Sequence, residues 1–309
     1  MSGFVAAVDI GGTKVLAATA TLEGEILVQR RVDTDARRGA AQVVERALAG
    51  TRAVIDETAR ASGGACVAAG AVCPGIPLAD RVVLAPNIPG WDGVALEREV
   101  RDGLGLEHVS VLNDVKAAGE AEARWGALAG ADPAVYLNLG TGVAAAVLVG
   151  GRAFPGAHGA SGEIAYNVDP RENAPAHADG HAPLEERAGG RFIGERASAI
   201  RGSSEANASR AVRRRPAIAA LVDGTLADLA AHVANLAVAI DPERIAVGGG
   251  LMGSPDRVLG ALRRRVQSAA PFPPEIVAAR FVDDAGLRGA VALALAAAER
   301  AASLVPPPS

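Results

Sequence analysis

The chain has 309 residues, half of them apolar, enough to bury one large or two medium cores. Its net charge of −4 offers no field that would favour nucleic acid, and no apolar run free of Gly or charge is long enough to cross a bilayer. Two cysteines, Cys66 and Cys73, are too few for a disulfide framework or a Cys-rich zinc site, so a reducing, cytoplasmic setting is expected.

The N-terminal residues lack a basic region and reach Asp9 at once, which reads as a first strand and not a signal peptide. FVAAVDI, KVLAATA and EILVQRRV then read as three short strands, with Gly-bearing turns at 11–12 and at Gly24. A helix is expected from about Ala40 to Ala61, a strand over 66–72, a helix over Leu96–Leu104, a strand over 108–114 and a helix over Lys116–Ala129. The opening pattern then recurs: Val8-Asp9-Ile10-Gly11-Gly12-Thr13 is echoed by Leu137-Asn138-Leu139-Gly140-Thr141-Gly142, each followed by a second apolar strand. Such a repeat points to two related domains, with chance similarity as the alternative.

Beyond a Gly-rich polar region at 150–179, a helical segment is expected around Leu184–Arg196, and the polar stretch 201–216 reads as a loop. A helix at 224–240, a strand at Arg244–Val247, the turn Gly248-Gly249-Gly250 and a further helix form a last β-turn-α unit. An Ala-rich helix over Leu287–Leu304 ends the pattern. The arginine runs at 213–215 and 263–265 sit in helix-like contexts and read as solvated faces. Strands interspersed with helices argue for an α/β class.

Five clusters carry chemistry. In Asp9-Ile-Gly-Gly-Thr-Lys14, adjacent glycines let backbone N–H groups approach an anion, Thr13 adds a hydroxyl, Lys14 a cation, and Asp9 a ligand for Mg²⁺. A hairpin turn needing positive φ would explain the glycines equally well. Leu139-Gly-Thr-Gly142 offers a second such turn, and two turns, one per domain, would grip one polyphosphate. In Asn113-Asp114, Asp114 is placed to take a proton from a hydroxyl that Asn113 orients; an N-cap for the following helix is the alternative. Gly162-Glu163 and Glu185 supply carboxylates that suit a polyol, although exposed Glu is commonplace. Gly248–Gly250 would let a flat group such as adenine lie on the backbone, or simply allow tight strand-to-helix packing.

Taken in order, DIGGTK (9–14), PG (74–75), PNIPGW (86–91), ND (113–114), NLGTG (138–142), GASGEI (159–164), LEERAGG (184–190) and DPERIAVGGG (241–250) resemble the ROK family of bacterial sugar kinases and related transcriptional repressors. The resemblance runs from Asp9 to the last helix. It implies a two-domain actin/hexokinase-like ATPase fold built from duplicated ribonuclease H-like domains. The expected boundaries are 1–115 plus the returning helix 287–304, and 116–286, with nucleotide and sugar in the cleft between them. It also implies an ATP-dependent sugar kinase using Mg²⁺. Asp9, Gly11, Gly12, Thr13 and Lys14 would form the first phosphate loop, Thr141 and Gly142 belong to the second, and Gly249 and Gly250 lie by the adenosine. Asp114 matches the catalytic base, and Asn87, Asn113, Glu163 and Glu185 match sugar-contacting positions.

Two departures stand out. The family usually reads Gly-Glu-Ile/Phe-Gly-His, whose His binds sugar and a structural zinc; here Tyr166 takes that place. The Cys-rich zinc motif would fall at about 176–183, where this chain has His177 and His181 but no cysteine, so no structural zinc is expected. A homodimer with sugar and ATP as its small-molecule partners is implied, with neither nucleic acid nor membrane. Only eight residues precede Asp9, too few for the helix-turn-helix domain of the family's repressors, so a DNA-binding role is not expected. A sugar or nucleotide sensor without turnover is the alternative that Tyr166 raises.

Overall fold

Branched and small apolar residues from Phe4 to Val8 make β1 (Gly3–Ile10) a strand buried on both faces, as a central strand must be. It turns back into β2 (Lys14–Ala20), with Ile10 opposite Val15, and β2 pairs antiparallel with β3 (Ile26–Asp33). The edge strand β3 buries none of its residues fully. Helix α1 (Ala40–Ser62) carries Val43, Val44, Ala47, Val54 and Thr58 on one buried face and stops at Gly63, whose left-handed backbone closes the C-terminus. β4 (Ala65–Cys73) runs parallel to β1. A small ribbon of β5 (Ile76–Pro77) and β6 (Val82–Val83) and helix α2 (Leu96–Leu104) lead to β7 (Val109–Asn113), parallel to β4, and to α3 (Asp114–Trp125). The sheet order is β3-β2-β1-β4-β7.

A second sheet repeats this plan. β8 (Ala134–Leu139), β9 (Val143–Val149) and β10 (Arg152–Ala153) are antiparallel neighbours. After α4 (Pro183–Ala188), α5 (Gly190–Gly202) and α6 (Ala208–Ile240), β11 (Arg244–Gly248) joins β8 in parallel. Helix α7 (Pro255–Ala269) then carries the chain to β12 (Glu275–Ala278), parallel to β11. The order is β10-β9-β8-β11-β12, the same arrangement and the same strand senses as the first sheet. The stretch Pro216–Ile240 of α6 is long and apolar enough to cross a bilayer, yet Leu229, Val233 and Ala237 pack into the core beneath the second sheet.

This computed structural model describes residues 3–85, 88–169, 175–202 and 208–304. They fall into two units, one of Met1–Arg124, Pro155–Ala160 and Asp283–Ser309, the other of Trp125–Phe154 and Ser161–Val282. Helix α3 and residues 155–160 therefore group with the first unit, not with the second as the motif positions suggest. Two local expectations are corrected. The helix expected over Leu184–Arg196 is broken at Gly189, which adopts an extended φ −66°, ψ 139°. Of the loop expected over 201–216, residues 203–207 lie outside the described residues, and the chain is helical from Ala208, since its Ala and Arg residues are good helix formers and outweigh one internal proline.

The last helix, α8 (Ala285–Leu304), returns to the first unit and is buried from Gly289 to Ala297. Small residues let its backbone lie directly on its neighbours. A Cβ on Gly70 of β4 would run into the carbonyl of Ala290 and stand 2.7 Å from the amide nitrogen of Ala294. A Cβ on Gly289 would stand 2.5 Å from the carbonyl of Ala117 in α3. We expect Gly70→Ala to lift α8 from the sheet and cost about 3 kcal/mol in chemical denaturation, as overpacking of a rigid contact does; an unchanged midpoint would refute this packing.

Candidate active site

The first half-site lies at the carboxyl edge of the first sheet, where β1, β4 and β7 run parallel and end side by side: Asp9 is level with Val72, and Cys73 with Asn113. The turn after β1 is held from behind. The Gly11 N–H donates to the Lys14 carbonyl at 2.9 Å, the Thr34 hydroxyl donates to the Gly11 carbonyl at 2.6 Å, and the Thr34 N–H donates to the Thr13 carbonyl at 3.1 Å. Neither Gly11 nor Gly12 has a positive φ, so the hairpin explanation for these glycines fails. A Cβ on Gly12 would meet no protein atom within 4 Å, so packing does not require glycine there either. What the bare backbone does allow is close approach of a ligand to Gly12, Thr13 and the partly exposed Lys14.

Asn113 settles the capping question. Its side-chain oxygen accepts the Lys116 N–H at 2.8 Å and so caps α3. Asp114 is thereby released from that duty: one of its carboxylate oxygens accepts its neighbour's N–H, from Val115 at 2.9 Å. Its surface is solvent-accessible although protein crowds it closely. Desolvation raises the Asp114 pKa above the ordinary carboxyl value, against lowering by backbone N–H groups and Lys116. Asp9 is raised to about 6, first by desolvation and then by the charge of Asp114, with Lys14 opposing. The buried Cys73 thiol is pushed upward by desolvation and by both carboxylates, so it is inert as a nucleophile. Asp9 has a further neighbour: a Cβ on Gly286, in the first turn of α8, would stand 2.5 Å from its Oδ2.

The second half-site is built on β8 and β9. Gly140 N–H donates across the turn to the Gly142 carbonyl at 3.0 Å, and Thr141 is exposed. Glu185 of α4 accepts the Val143 N–H at 3.2 Å, so this carboxylate sits directly on the turn. Gly249, at φ +90°, follows β11; a Cβ there would be 2.8 Å from the Asn138 Oδ1 and 2.5 Å from the Leu139 carbonyl carbon. Asn138, the counterpart of Asp9 in the repeat, thus lies against the glycine turn. Gly250 has open space about it. Glu163 follows Gly162, whose carbonyl accepts the Ala145 N–H at 2.8 Å and ties the segment to β9. The pKa of Tyr166 is raised by desolvation and by the charges of Glu163 and Glu185, which brings these three groups into one cluster. The expected site residue Asn87 lies outside the described residues.

The residues at the family's zinc position do not fit that metal. The Tyr166 ring meets the His177 ring edge-on, centroids 5.0 Å apart. His181 pairs through Nδ1 with Glu186 at 2.9 Å, and Glu186 also accepts the Ala182 N–H at 3.1 Å. No cysteine is at hand, and four N or S donors cannot be assembled from this set. Among the described residues, no group of three or more His, Cys, Asp or Glu side chains is placed to hold a metal ion.

Comparison with known proteins decides the family, for the ROK family model matches residues 5–297. The chain belongs to the ROK family. It is 33% identical to the bifunctional enzyme NanE/NanK of Brucella melitensis, a match covering 94% of this chain and 54% of that one. The chain thus spans about half the length of that relative. Among solved structures it is similar to a ROK hexokinase from Thermus thermophilus, at 28% identity, TM-score 0.78, with 96% of this chain and 99% of that one covered. It is also similar to a ROK family glucokinase from Streptomyces griseus in complex with glucose and AMPPNP, at 28% identity, TM-score 0.73, with 94% and 99% covered. The fold is the two-domain actin/hexokinase-like ATPase fold of these ROK structures.

Sequence reasoning passed over Thr34 and Gly286. A threonine after an edge strand and a glycine inside a helical pattern carry no signal until the partner atoms are known. The raised Asp9 pKa has a consequence for stability. The protonated carboxyl favours the folded state fully below the ordinary value of 3.8, and that contribution is lost as pH rises through about 6. Between those limits the ligand-free melting temperature should fall with pH less steeply in Asp9→Asn than in the unmodified protein, by an amount equivalent to about 1–3 kcal/mol. Identical slopes in the two proteins would contradict the placement of Asp9.

Proposed function

We propose that this chain is an ATP-dependent sugar kinase in which Asp114 is the general base. The observation that carries the reading is Asp114 itself. It stands at the end of β7, relieved of capping by Asn113, with its pKa raised and Asp9 close enough to feel its charge. A carboxylate that is costly to keep charged is a stronger proton acceptor than one in water. The relatives named hexokinase and glucokinase support the same reading.

In the proposed reaction a sugar hydroxyl gives its proton to Asp114 while its oxygen bonds to the γ-phosphorus. The bond from that phosphorus to the β–γ bridging oxygen breaks, and ADP departs. In the first unit the backbone N–H groups of Gly12 and Thr13 and the Lys14 ammonium would meet phosphate charge, and in the second Thr141 and Gly142 would do the same. Gly249 and Gly250 leave backbone open to the adenosine. Asn113, Glu163 and Glu185 address sugar hydroxyls, and Asn87 joins them in this reading. Mg²⁺ travelling with ATP offsets phosphate charge, and Asp9, whose carboxylate is strained by its like-charged neighbour, is the group that would hold it. The cytoplasmic setting and the homodimer belong to the same reading. The carboxylates of Glu163 and Glu185 suit the hydroxyls of a hexose or an amino sugar, the substrate class of this reading.

The test is sugar-dependent ADP release across a panel of hexoses and amino sugars. Asp114→Asn is expected to lower kcat by about 10²–10⁴, and unchanged turnover would remove Asp114 from the role. Gly286→Ala, which would drive a methyl group into the Asp9 carboxylate, is expected to lower turnover by about 10- to 100-fold while the protein stays folded by circular dichroism. Tyr166 in place of histidine favours one second reading, a sensor that binds without turnover; binding of sugar and nucleotide with no ADP release in the unmodified protein would establish it.

A further inference from the structure

The break between α4 and α5 lies against the second turn, and the two are joined by three hydrogen bonds. Val143 N–H donates to Glu185 Oε2 at 3.2 Å, Gly190 N–H donates to the Gly140 carbonyl at 3.0 Å, and Arg191 N–H donates to the Thr141 carbonyl at 3.3 Å. The backbones touch so closely that side chains are excluded. A Cβ on Gly190 would stand 2.6 Å from the Gly140 carbonyl oxygen, and one on Gly189 2.9 Å from that of Thr141. A Cβ on Gly142 would collide with the Glu185 carboxylate. Glycine at 142, 189 and 190 therefore serves one purpose, which is to let the segment 185–191 clasp the turn 140–143.

We infer that Glu185 is a positioning residue for the nucleotide, bracing the second phosphate turn through Val143, and that it thereby couples sugar binding to ATP binding. The inference rests on the proposed kinase reading of Thr141 and Gly142. One carboxylate oxygen, Oε2, is engaged by the turn; the other remains the acceptor through which a sugar hydroxyl would bind. A sugar that fixes this carboxylate fixes the turn as well, so each ligand tightens the other by the same factor. A residue that only contacted sugar would have no influence on nucleotide affinity when sugar is absent.

The deciding experiment is isothermal titration of the full chain with AMPPNP and Mg²⁺ in the absence of sugar. Glu185→Ala is expected to weaken AMPPNP about tenfold, the effect of removing one charge-assisted hydrogen bond. Glu185→Gln keeps an oxygen that accepts the Val143 N–H, and it should hold AMPPNP within about twofold of the unmodified protein while raising the sugar KM. Amide hydrogen exchange at 140–143, measured in parallel, should be faster in Glu185→Ala than in Glu185→Gln. AMPPNP affinity and exchange both unaltered in Glu185→Ala would overturn the brace and leave the kinase reading standing. Equal weakening in both variants would assign the effect to charge and overturn it too. Failure of the unmodified protein to bind AMPPNP would remove the nucleotide reading, and the brace with it.

Discussion

Two carboxylates held at one edge of one sheet set the terms for the rest of this molecule. Asp9 lies near the end of β1 and Asp114 opens α3 directly after β7, with β4 between the two strands, and the charge of Asp114 adds to the desolvation that raises the cost of charging Asp9. Such a pair persists only in a frame stiff enough to forbid relaxation. The frame comes from both ends of the chain. β1 is buried between β2 and β4, and α8 returns to lie against β4 and α3 through contacts that admit no Cβ at Gly70 or Gly289. Gly286 brings the same helix against the Asp9 carboxylate. The last helix therefore does more than close a core: it packs directly against the carboxylate of Asp9 on the first strand.

The second sheet shows what happens when the same frame is built without that strain. Its order and strand senses repeat those of the first, and its polar residue at the Asp9 position is Asn138. An amide carries no charge to be buried, and Asn138 lies so close to Gly249 that a Cβ there would stand 2.8 Å from its Oδ1. The two sheets carry turns at matching places with different neighbours: the first has the Asp9 carboxylate beside it, while the second is held by the Glu185 carboxylate, which arrives from α4.

Much of this was legible in the sequence, and the reasons for the remainder are physical. Short continuous apolar runs bounded by turn residues gave β1, β4 and β8, as strands buried on both faces read. The paired motifs gave both turns, each placed between two antiparallel strands. Asn113 stood open between sugar contact and cap, and only the 2.8 Å bond to the Lys116 N–H shows the cap. The single helix expected over 184–196 failed at Gly189, since local propensity cannot register a carbonyl from a turn more than forty residues earlier in the chain. The loop expected over 201–216 failed for the opposite reason: polarity was taken as irregularity where Arg and Ala favour helix. Thr34 looked like any residue after an edge strand, although it holds two carbonyls of the first turn.

The region around Tyr166 differs in kind from both turns, and magnitudes explain how. A structural zinc site stabilises its loop by on the order of 10 kcal/mol. Here the segment 176–186 is held by the Asp179 carboxylate on the Ala176 N–H, the Glu186 carboxylate on the Ala182 N–H, its pairing with His181, and the edge-on contact of Tyr166 with His177. Each is worth about 1 kcal/mol net. Their sum is well short of a metal site, and most of these groups are exposed or partly exposed, where water competes with them. The anchoring of this segment comes instead from Leu184, buried in the core of the second unit, and from Glu185, which ties it to the second turn through the Val143 N–H beside the glycine contacts at 189 and 190.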